Sequence, residues 1–265
     1  SSDLGEKFSH QEVYQKRELG ENVLELNGMS GHGFSNVNLT VKKGSIVGLT
    51  GLQGSGSSEL LQGLFGAVLV TGGTLKVSGK ECRIHGIQGA MKAGIAMLAS
   101  NRKENSVIPD MSILENMYLS EQVLSARQPL ISAGKERERY EKYKKLLSIK
   151  AADPKDPITS LSGGNQQKVF LARWLNTEAG ILLLDNPTQG IDVGAKAEIY
   201  KLILKLADAG KTILINTLEI PELAKVADCC AVFYEGTIIK MLQHEEIDEK
   251  TVMLYSTNAA QKGES

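Results

Sequence analysis

The stretch SIVGLTGLQGSGSSEL, from Ser45 to Leu60, joins a short apolar run to a glycine-rich loop and then to a helical pattern. From Gly51 onward its glycines follow the spacing of a phosphate-binding loop, G-x-x-x-x-G-[KR]-[ST]. Amides at the start of the helix that follows such a loop point at phosphate oxygens. The seventh residue is Ser57, where the pattern places a cation. The candidate phosphate-binding residues are Gly51, Gln53, Gly54, Ser55, Gly56, Ser57, Ser58 and Glu59.

The composition of the 265-residue chain is that of an ordinary globular protein, with 42% hydrophobic and 23% charged residues. A formal net charge of -1 argues against a nucleic-acid partner, because proteins that follow a phosphate backbone carry a basic excess. No apolar run approaches the roughly 18 residues of a membrane span, so we expect none in the chain itself. Residues 1–20 are polar and predict a linker within a piece of a longer protein.

Apolar strands alternate with helical patterns from about residue 180 onward. This order predicts an α/β fold with a mainly parallel sheet. Nearer the start, VLELNGMS and VNLTV alternate in polarity like half-buried strands. The segment ADCCAVFY places Cys229 and Cys230 in a buried strand of a reduced, cytoplasmic protein, and neither they nor Cys82 have the spacing of a metal site.

A helical insertion is expected over about residues 111–178. In AGKERERYEKYKKLLSI, the side chains Tyr140, Tyr143, Leu146 and Leu147 form a narrow apolar stripe amid charge. A basic amphipathic helix of this kind can lie on a membrane surface. We favour a solvated helix face over a small apolar contact.

The run ILLLD ends at Asp185 and places a carboxylate at the carboxyl end of a buried strand, where open α/β sheets bind ligands. In a phosphate-loop protein that carboxylate holds Mg²⁺ through water beside the loop hydroxyl, here Ser58. Ser58 and Asp185 are therefore the metal candidates. The alternative is that Asp185 only caps the strand-to-helix turn.

The stretch LSGGNQQK, Leu161 to Lys168, is the most specific in the chain. Ser162, Gly163 and Gly164 precede a helical pattern, so a hydroxyl and bare amides face outward at a positive helix end. Together with the aspartate strand and DVGAK, this stretch resembles the ATP-binding cassette ATPases. Among these it is similar to the tandem ATPase subunits of bacterial sugar importers of the ribose, galactose and xylose type.

The resemblance covers roughly residues 23–254. It implies a P-loop fold with a mainly parallel core sheet, an antiparallel β lobe and an inserted α-helical subdomain. It also implies that residues 21–265 form one cassette, the second (C-terminal) copy of a pair. The implied cofactors are ATP and Mg²⁺, and the implied partners are the first cassette of the same polypeptide and transmembrane permease subunits. The implied location is peripheral, on the cytoplasmic face of the bacterial inner membrane.

In that family the two cassettes close head to tail, and each ATP lies between the phosphate loop of one copy and the signature motif of the other. Four departures of this sequence fall on the loop side. Ser57 replaces the loop cation, and Asn186 stands where a carboxylate polarises the attacking water. Ser100 and Leu218 stand where competent copies carry the γ-phosphate sensor and the switch histidine.

The effects of these departures on affinity and on rate can be estimated. Loss of a charge-assisted bond to phosphate lowers affinity about tenfold to a hundredfold, and loss of a positioned base lowers the rate about 10²- to 10⁴-fold. The resemblance therefore implies a degenerate site that binds nucleotide weakly or not at all, and a domain with little or no ATPase activity alone. The residues that serve the opposite site match the family pattern: Leu161, Ser162, Gly163, Gly164 and Gln166 in the signature, and Gly190 and Asp192 in the D-loop.

Other interpretations stay open from the sequence. One is a structural or regulatory pseudo-cassette that binds no nucleotide, and another is a subunit of an importer for a nucleoside or a signalling sugar. A cassette that acts on nucleic acid or ribosomes is disfavoured by the charge. The residue that stacks on adenine would fall at His32 or Phe34, and Phe34 is at least as typical of a core.

Overall fold

A computed structural model describes residues 14–100, 106–124 and 133–259. Its centre is a six-stranded sheet with five parallel strands and one antiparallel edge strand. The strands are β3 Ile46–Gly51, β6 Ile95–Leu98, β7 Ile181–Asp185, β8 Thr212–Asn216, β9 Cys229–Tyr234 and β10 Thr237–Gln243. Their spatial order is β10, β9, β3, β8, β7, β6. The phosphate-loop strand β3 therefore lies one strand away from the aspartate strand β7, with β8 between them.

A second, antiparallel sheet has four strands. They are β1 Asn22–Gly31, β2 Phe34–Lys42, β4 Val70–Val77 and β5 Lys80–Cys82. Their spatial order is β2, β1, β4, β5. Buried residues alternate along most of β2 and at the start of β1, as the polarity pattern predicted, because only one face of this sheet packs on the core; in β1 the alternation shifts at an irregularity between Leu26 and Met29.

The described residues also form helices that surround the parallel sheet. They are α1 Ser57–Leu64, α2 Gly86–Lys92, α3 Ile113–Leu124, α4 Ala133–Leu146, α5 Gly163–Leu175, α6 Val193–Asp208, α7 Ile220–Leu223 and α8 Glu249–Ser256. Short 3-10 turns occur at Ile158–Ser160 and His244–Glu246. None of the helices in the part of the chain that the structure describes is both long and apolar enough to span a membrane.

The parallel sheet is covered on both faces, which explains its continuous apolar strands. In β7, Leu182 and Leu184 pack with α5 and α6, whereas Ile181 and Leu183 pack with the antiparallel sheet and α1. The alternation follows from the two-residue period of a strand. Because both faces are buried, a ligand can meet this sheet only at the ends of its strands, and open α/β sheets bind ligands at the carboxyl ends.

The helical insertion is held together by a buried cation. Arg173 in α5 donates from Nε to Asn116 O in α3 at 2.6 Å, and from Nη2 to Asn116 Oδ1 at 3.0 Å. Burial lowers the pKa of Arg173 to about 10. Beside it, Asn176 Nδ2 donates to Met117 O at 3.1 Å. These bonds fix α3 against the helix that follows the LSGG residues.

The predicted α/β fold, with its mainly parallel sheet, antiparallel sheet and inserted helices, is confirmed. One detail is wrong: Leu146 is 45% exposed, while Tyr140, Tyr143 and Leu147 are buried. The three buried side chains follow the i, i+3, i+7 spacing of one helix face, and Leu146 falls beside that line. For Phe34 the structure favours the core alternative over adenine stacking, because this ring is buried in the core beneath the antiparallel sheet.

The expected linker, residues 1–20, begins outside the described residues, which start at Tyr14. Its described part contacts the body of the protein. Arg17 Nη2 forms a 2.7 Å ion pair with Asp228 Oδ2, and Tyr14 donates its hydroxyl to Asp228 Oδ1 at 3.2 Å. The Tyr14 ring stacks on His244 with a centroid separation of 3.4 Å. Residues 14–17 are thus anchored beside β9.

Candidate nucleotide-binding site

The predicted phosphate loop forms the turn between β3 and α1. A Cβ atom on Gly51 would lie 2.6 Å from Phe233 O, and one on Gly56 would lie 2.5 Å from Gly33 O. Gly56 also has a φ of 101°. Glycine is therefore required at both positions by close backbone packing. The first amides of α1 have no side-chain cap from Gly56, so they are directed out of the helix start.

The other loop residues differ in exposure. Gln53 and Gly54 are exposed at the loop tip, and Gly54 has a φ of 76°. Ser55 Oγ is buried and has no hydrogen-bond partner among the described residues. Glu59 lies against Gly33, where an added Cβ would approach Glu59 Cγ to 2.7 Å. The unpaired Ser55 hydroxyl is a polar group left for a ligand to satisfy.

Ser57, Ser58 and Asp185 belong to one hydrogen-bond network. Ser58 Oγ donates to Asp185 Oδ2 at 2.7 Å. Asn216 Nδ2 donates to Asp185 Oδ1 at 2.6 Å, and Asn216 Oδ1 accepts from Ser57 Oγ at 2.8 Å. Asn186 Nδ2 donates to the same Asp185 Oδ1 at 3.2 Å. Asp185 is 1% exposed, so these neutral donors solvate its carboxylate in place of water.

Three of the expected departures lie at strand ends near this network. Asn186 follows β7 directly with a φ of 46°, and its side chain donates to Asp185 instead of offering a carboxylate. Leu218 lies two residues beyond β8 and is 58% exposed. Its side chain carries no hydrogen-bonding atom. Ser100 lies two residues beyond β6.

The residues of this site fit ATP and Mg²⁺. Ser58 and Asp185 offer the hard oxygen atoms that Mg²⁺ prefers. The unpaired Ser55 hydroxyl and the uncapped amides of α1 are donors suited to phosphate oxygens, and the two glycines fix the loop that carries them. No cluster of three His, Cys, Asp or Glu side chains that could hold a metal occurs within the described residues. A cation here would therefore need phosphate oxygens and water to complete its coordination.

The signature residues form a second cluster, at the starts of α5 and α6. Ser162 is the N-cap of α5, and its hydroxyl accepts from Asn165 Nδ2 at 3.0 Å. Gln166 Nε2 donates to Leu161 O at 3.0 Å. The signature thus has an ordered backbone with its serine and glycine at the outer end of the helix.

The D-loop residues lie directly against the signature. An added Cβ on Gly164 would approach Ala195 Cβ to 2.7 Å, so the starts of the two helices touch there. Asp192 caps α6 by accepting from Ala195 N at 3.0 Å. Gly190 turns the chain with a φ of 68°. The buried Gly164 thus packs against the first turn of the helix that Asp192 caps.

Three residues of these clusters were missed by the sequence reasoning. Asn216 ends the apolar run TILIN, which is the same strand-end signal that identified Asp185. Lys168 Nζ donates to Glu198 Oε2 at 2.7 Å, which ties α5 to α6. Glu219 forms an ion pair with Lys196 and accepts from Thr188 Oγ1 at 3.1 Å. No sequence signal identified the two ion pairs, because they join different elements.

Comparison with known proteins decides the family. The sequence model of the family named ABC transporter matches residues 34–189, which is more than half of the chain. The chain belongs to the ABC transporter family. Solved structures agree in fold: a nucleotide-free ATP-binding cassette from an ABC transporter has a TM-score of 0.77 at 22% identity and covers 89% of this chain and 99% of that one. The cassette MJ0796, bound to ADP and Pi, has a TM-score of 0.69 at 24% identity, over 85% of this chain and 97% of that one.

Curated relatives of this ABC cassette are named as sugar import proteins. The ribose import ATP-binding protein RbsA of Halalkalibacterium halodurans is 40% identical over 90% of this chain and 48% of its own length. The arabinose import ATP-binding protein AraG of Vibrio parahaemolyticus is 39% identical over 91% of this chain and 48% of its own length. The chain spans about half the length of these relatives.

Proposed function

We propose that this ABC cassette is the hydrolysis-impaired half of a bacterial ATP-driven sugar importer, and that it supplies its signature to the catalytic site of a partner cassette. The observation that carries the proposal is the environment of Asp185. Where a general base would stand, the Asn186 amide donates a hydrogen bond to Asp185 Oδ1 at 3.2 Å. An amide nitrogen that acts as a donor cannot accept a proton from water.

The cassette's own phosphate loop keeps its shape and lacks its cation. Ser57 donates its hydroxyl to Asn216, so position 57 offers no charge to a phosphate. Ser58, Asp185 and the loop glycines support weak binding of ATP and Mg²⁺. Leu218 and Ser100 lack the groups that would sense a γ-phosphate or orient water in a competent copy. We infer that this site binds nucleotide and hydrolyses it slowly or not at all.

The opposite face is suited to serve a neighbour. Leu161 and Ser162 lead into α5, whose first residues include Gly163, Gly164 and Gln166. The D-loop residues Gly190 and Asp192 precede α6, whose start packs against α5. The contact of Gly164 with Ala195 and the pair of Lys168 with Glu198 hold the two helix starts together. The signature surface is therefore pre-organised for a partner's ATP.

The proposed assembly follows the relatives. Those proteins are named ribose and arabinose import ATP-binding proteins and are about twice as long as this chain. We propose that residues 21–265 form a cassette with a helical insertion at about 111–178, joined by the linker 1–20 to a first cassette of the same polypeptide. Transmembrane permease subunits would bind the pair, which places it on the cytoplasmic face of the inner membrane.

The direct test of impairment is ATP turnover by the purified chain with Mg²⁺. We expect turnover near background, and no change on Ser58→Ala. Turnover at the rate of ordinary cassettes, abolished by Ser58→Ala, would refute the impairment.

A second candidate function is a structural module that binds no nucleotide. It is favoured by one observation: the polar side chains of Ser57, Ser58, Asp185 and Asn216 already satisfy each other. Calorimetric titration with Mg-ATP separates the two functions. Saturable binding below about millimolar ATP supports the retained site, and no binding at higher concentration supports the structural module.

A further inference from the structure

Asn216 lies at the centre of the nucleotide site, where the backbone fixes it. It is the last residue of β8, the strand between the phosphate-loop strand and the aspartate strand. In the ladder it is paired with Leu49 on one side and with Asp185 on the other. The backbone carbonyl oxygen of Asn216 also accepts from Asn186 N at 2.8 Å. Position 216 is therefore held next to both the loop and the carboxylate.

The Asn216 side chain uses both of its polar ends. Its side-chain oxygen Oδ1 accepts from Ser57 Oγ at 2.8 Å, and its side-chain NH₂ group donates to Asp185 Oδ1 at 2.6 Å. A valine here could do neither, and an aspartate would place two carboxylates side by side. Asn216 therefore ties the loop to the aspartate strand, and Ser57 is short enough to complete the link.

Within the part of the chain that the structure describes, the side chains that donate to Asp185 are neutral. Oδ1 accepts from the amides of Asn216 and Asn186, and Oδ2 accepts from the hydroxyl of Ser58. In a phosphate-loop protein a divalent cation offsets the repulsion between this carboxylate and the phosphates. Here charge-assisted bonds already offset part of the carboxylate's charge. The two amides also fill the Oδ1 side, so a cation gains less on entering.

We propose that Asn216 takes over part of the role of the divalent cation, so that this loop binds nucleotide phosphates almost independently of Mg²⁺. The proposal rests on the retained nucleotide site of the proposed function. Within it, Asn216 is a positioning residue: it sets how much the affinity for nucleotide depends on the metal.

The test is calorimetric titration of the chain with ATP, once in excess Mg²⁺ and once in EDTA. We expect the dissociation constant of the wild-type chain to differ by less than about threefold between the two conditions. In Asn216→Val, Asp185 loses its closest donor, and we expect affinity in EDTA to fall at least about tenfold below that in Mg²⁺. The matched control is Asn176→Val, another buried asparagine, whose amide donates to Met117 O. This control should show the same ratio of affinities in Mg²⁺ and in EDTA as the wild-type chain.

A second readout follows the metal itself. With ADP and Mn²⁺, the electron paramagnetic resonance signal of Mn²⁺ should stay close to that of free Mn-ADP for the wild-type chain and broaden for Asn216→Val. If that variant fails to fold, Ser57→Ala removes only the donor to Asn216 Oδ1. It should shift the ratio of affinities in the same direction, by about threefold.

Three results would overturn the proposal. They are wild-type affinity that drops tenfold or more in EDTA, wild-type binding that is absent in EDTA, and a variant with the same metal dependence as wild type. The donor role of the signature is tested separately by a partner's turnover. If signature variants leave that turnover unchanged while binding in EDTA persists, the proposed function fails and the role of Asn216 stands. If binding depends on the metal and signature variants lower the partner's turnover, the role of Asn216 fails and the proposed function stands.

Discussion

The Lys168 side chain in α5 is 4% exposed, and its ammonium group donates to the carboxylate of Glu198 in α6 at 2.7 Å. The same ammonium donates to Ser148 O at 3.2 Å. One side chain thus links the signature helix, the D-loop helix and the loop after α4. Since the lysine is buried and the glutamate half-exposed, the loss of the glutamate would leave a buried charge poorly compensated.

Removal of this carboxylate should destabilise the fold. For Glu198→Gln we expect a loss of about 1–3 kcal/mol in the free energy of unfolding, because the buried ammonium loses its charged acceptor. The hydrogen bond from Lys168 lowers the pKa of Glu198. Its stabilisation is therefore present above the unfolded-state pKa of the carboxyl and is lost as pH falls through the lowered pKa. Urea unfolding at several pH values measures both effects.

The control for this pair is Glu222→Gln, which breaks an i,i+3 pair with Lys225 on the surface. Such pairs contribute about 0–1 kcal/mol, so this variant should unfold like the wild type. Equal losses in the free energy of unfolding in the two variants would show that the buried pair stabilises the fold no more than a surface pair does.

Restoring the loop cation should improve binding and weaken the fold. We expect Ser57→Lys to raise affinity for Mg-ATP about tenfold to a hundredfold through a charge-assisted bond to phosphate. It also removes the donor to Asn216 Oδ1, a buried acceptor, which costs about 1–3 kcal/mol of stability. Calorimetry and urea unfolding of the one variant measure the two effects. A gain in affinity with no loss of stability would show that the Ser57–Asn216 bond is unimportant.

The contact between signature and D-loop should not tolerate a methyl group. In Gly164→Ala the new Cβ would lie 2.7 Å from Ala195 Cβ, and we expect a loss of about 1–3 kcal/mol. The matched control is Gly134→Ala in α4, where a Cβ would meet nothing within 4 Å. Because Gly134 is the second residue of α4, an alanine there should stabilise the helix by only part of the about 0.5–1 kcal/mol expected in a helix interior. Opposite signs in thermal unfolding support the packing account, and a neutral Gly164→Ala contradicts it.

The anchor of residues 14–17 should depend mainly on Asp228. This carboxylate accepts from Arg17, from Tyr14 and from Ile46 N at 2.7 Å. We expect Asp228→Ala to cost about 3–5 kcal/mol because it leaves a largely buried arginine and a strand amide unpaired. Tyr14→Phe keeps the stacking on His244 and should cost about 1 kcal/mol. If both variants unfold at the same urea concentration, the carboxylate is not the anchor.

The sequence predicted those parts of the fold and site that depend on local pattern. Asp185 was identified because a carboxylate after a buried apolar run is a strong signal, and Ser58 because the glycine spacing points to it. Asn216 carries the same strand-end signal in weaker form, since an asparagine there is also a common turn residue. Its pairing with Ser57 could not be predicted, because it depends on the order of strands β3, β8 and β7.

The long-range ion pairs could not be predicted from the sequence for the same reason. Lys168 and Glu198 are 30 residues apart, and Arg17 and Asp228 are 211 apart. Periodicity describes one helix or strand at a time and does not show which charges meet across the fold. The error at Leu146 has a different cause: a stripe of four apolar residues is wider than the contact available to α4.

The central claim is the asymmetry between the two faces of this cassette, and ATP turnover by the cassette assembled with its catalytic partner tests it most directly. We predict that disruption of Ser162 and Gly163 in this chain reduces that turnover to background, whereas Asp185→Asn in this chain leaves most of it. The opposite pattern, with full turnover after loss of the signature and none after Asp185→Asn, would contradict the account.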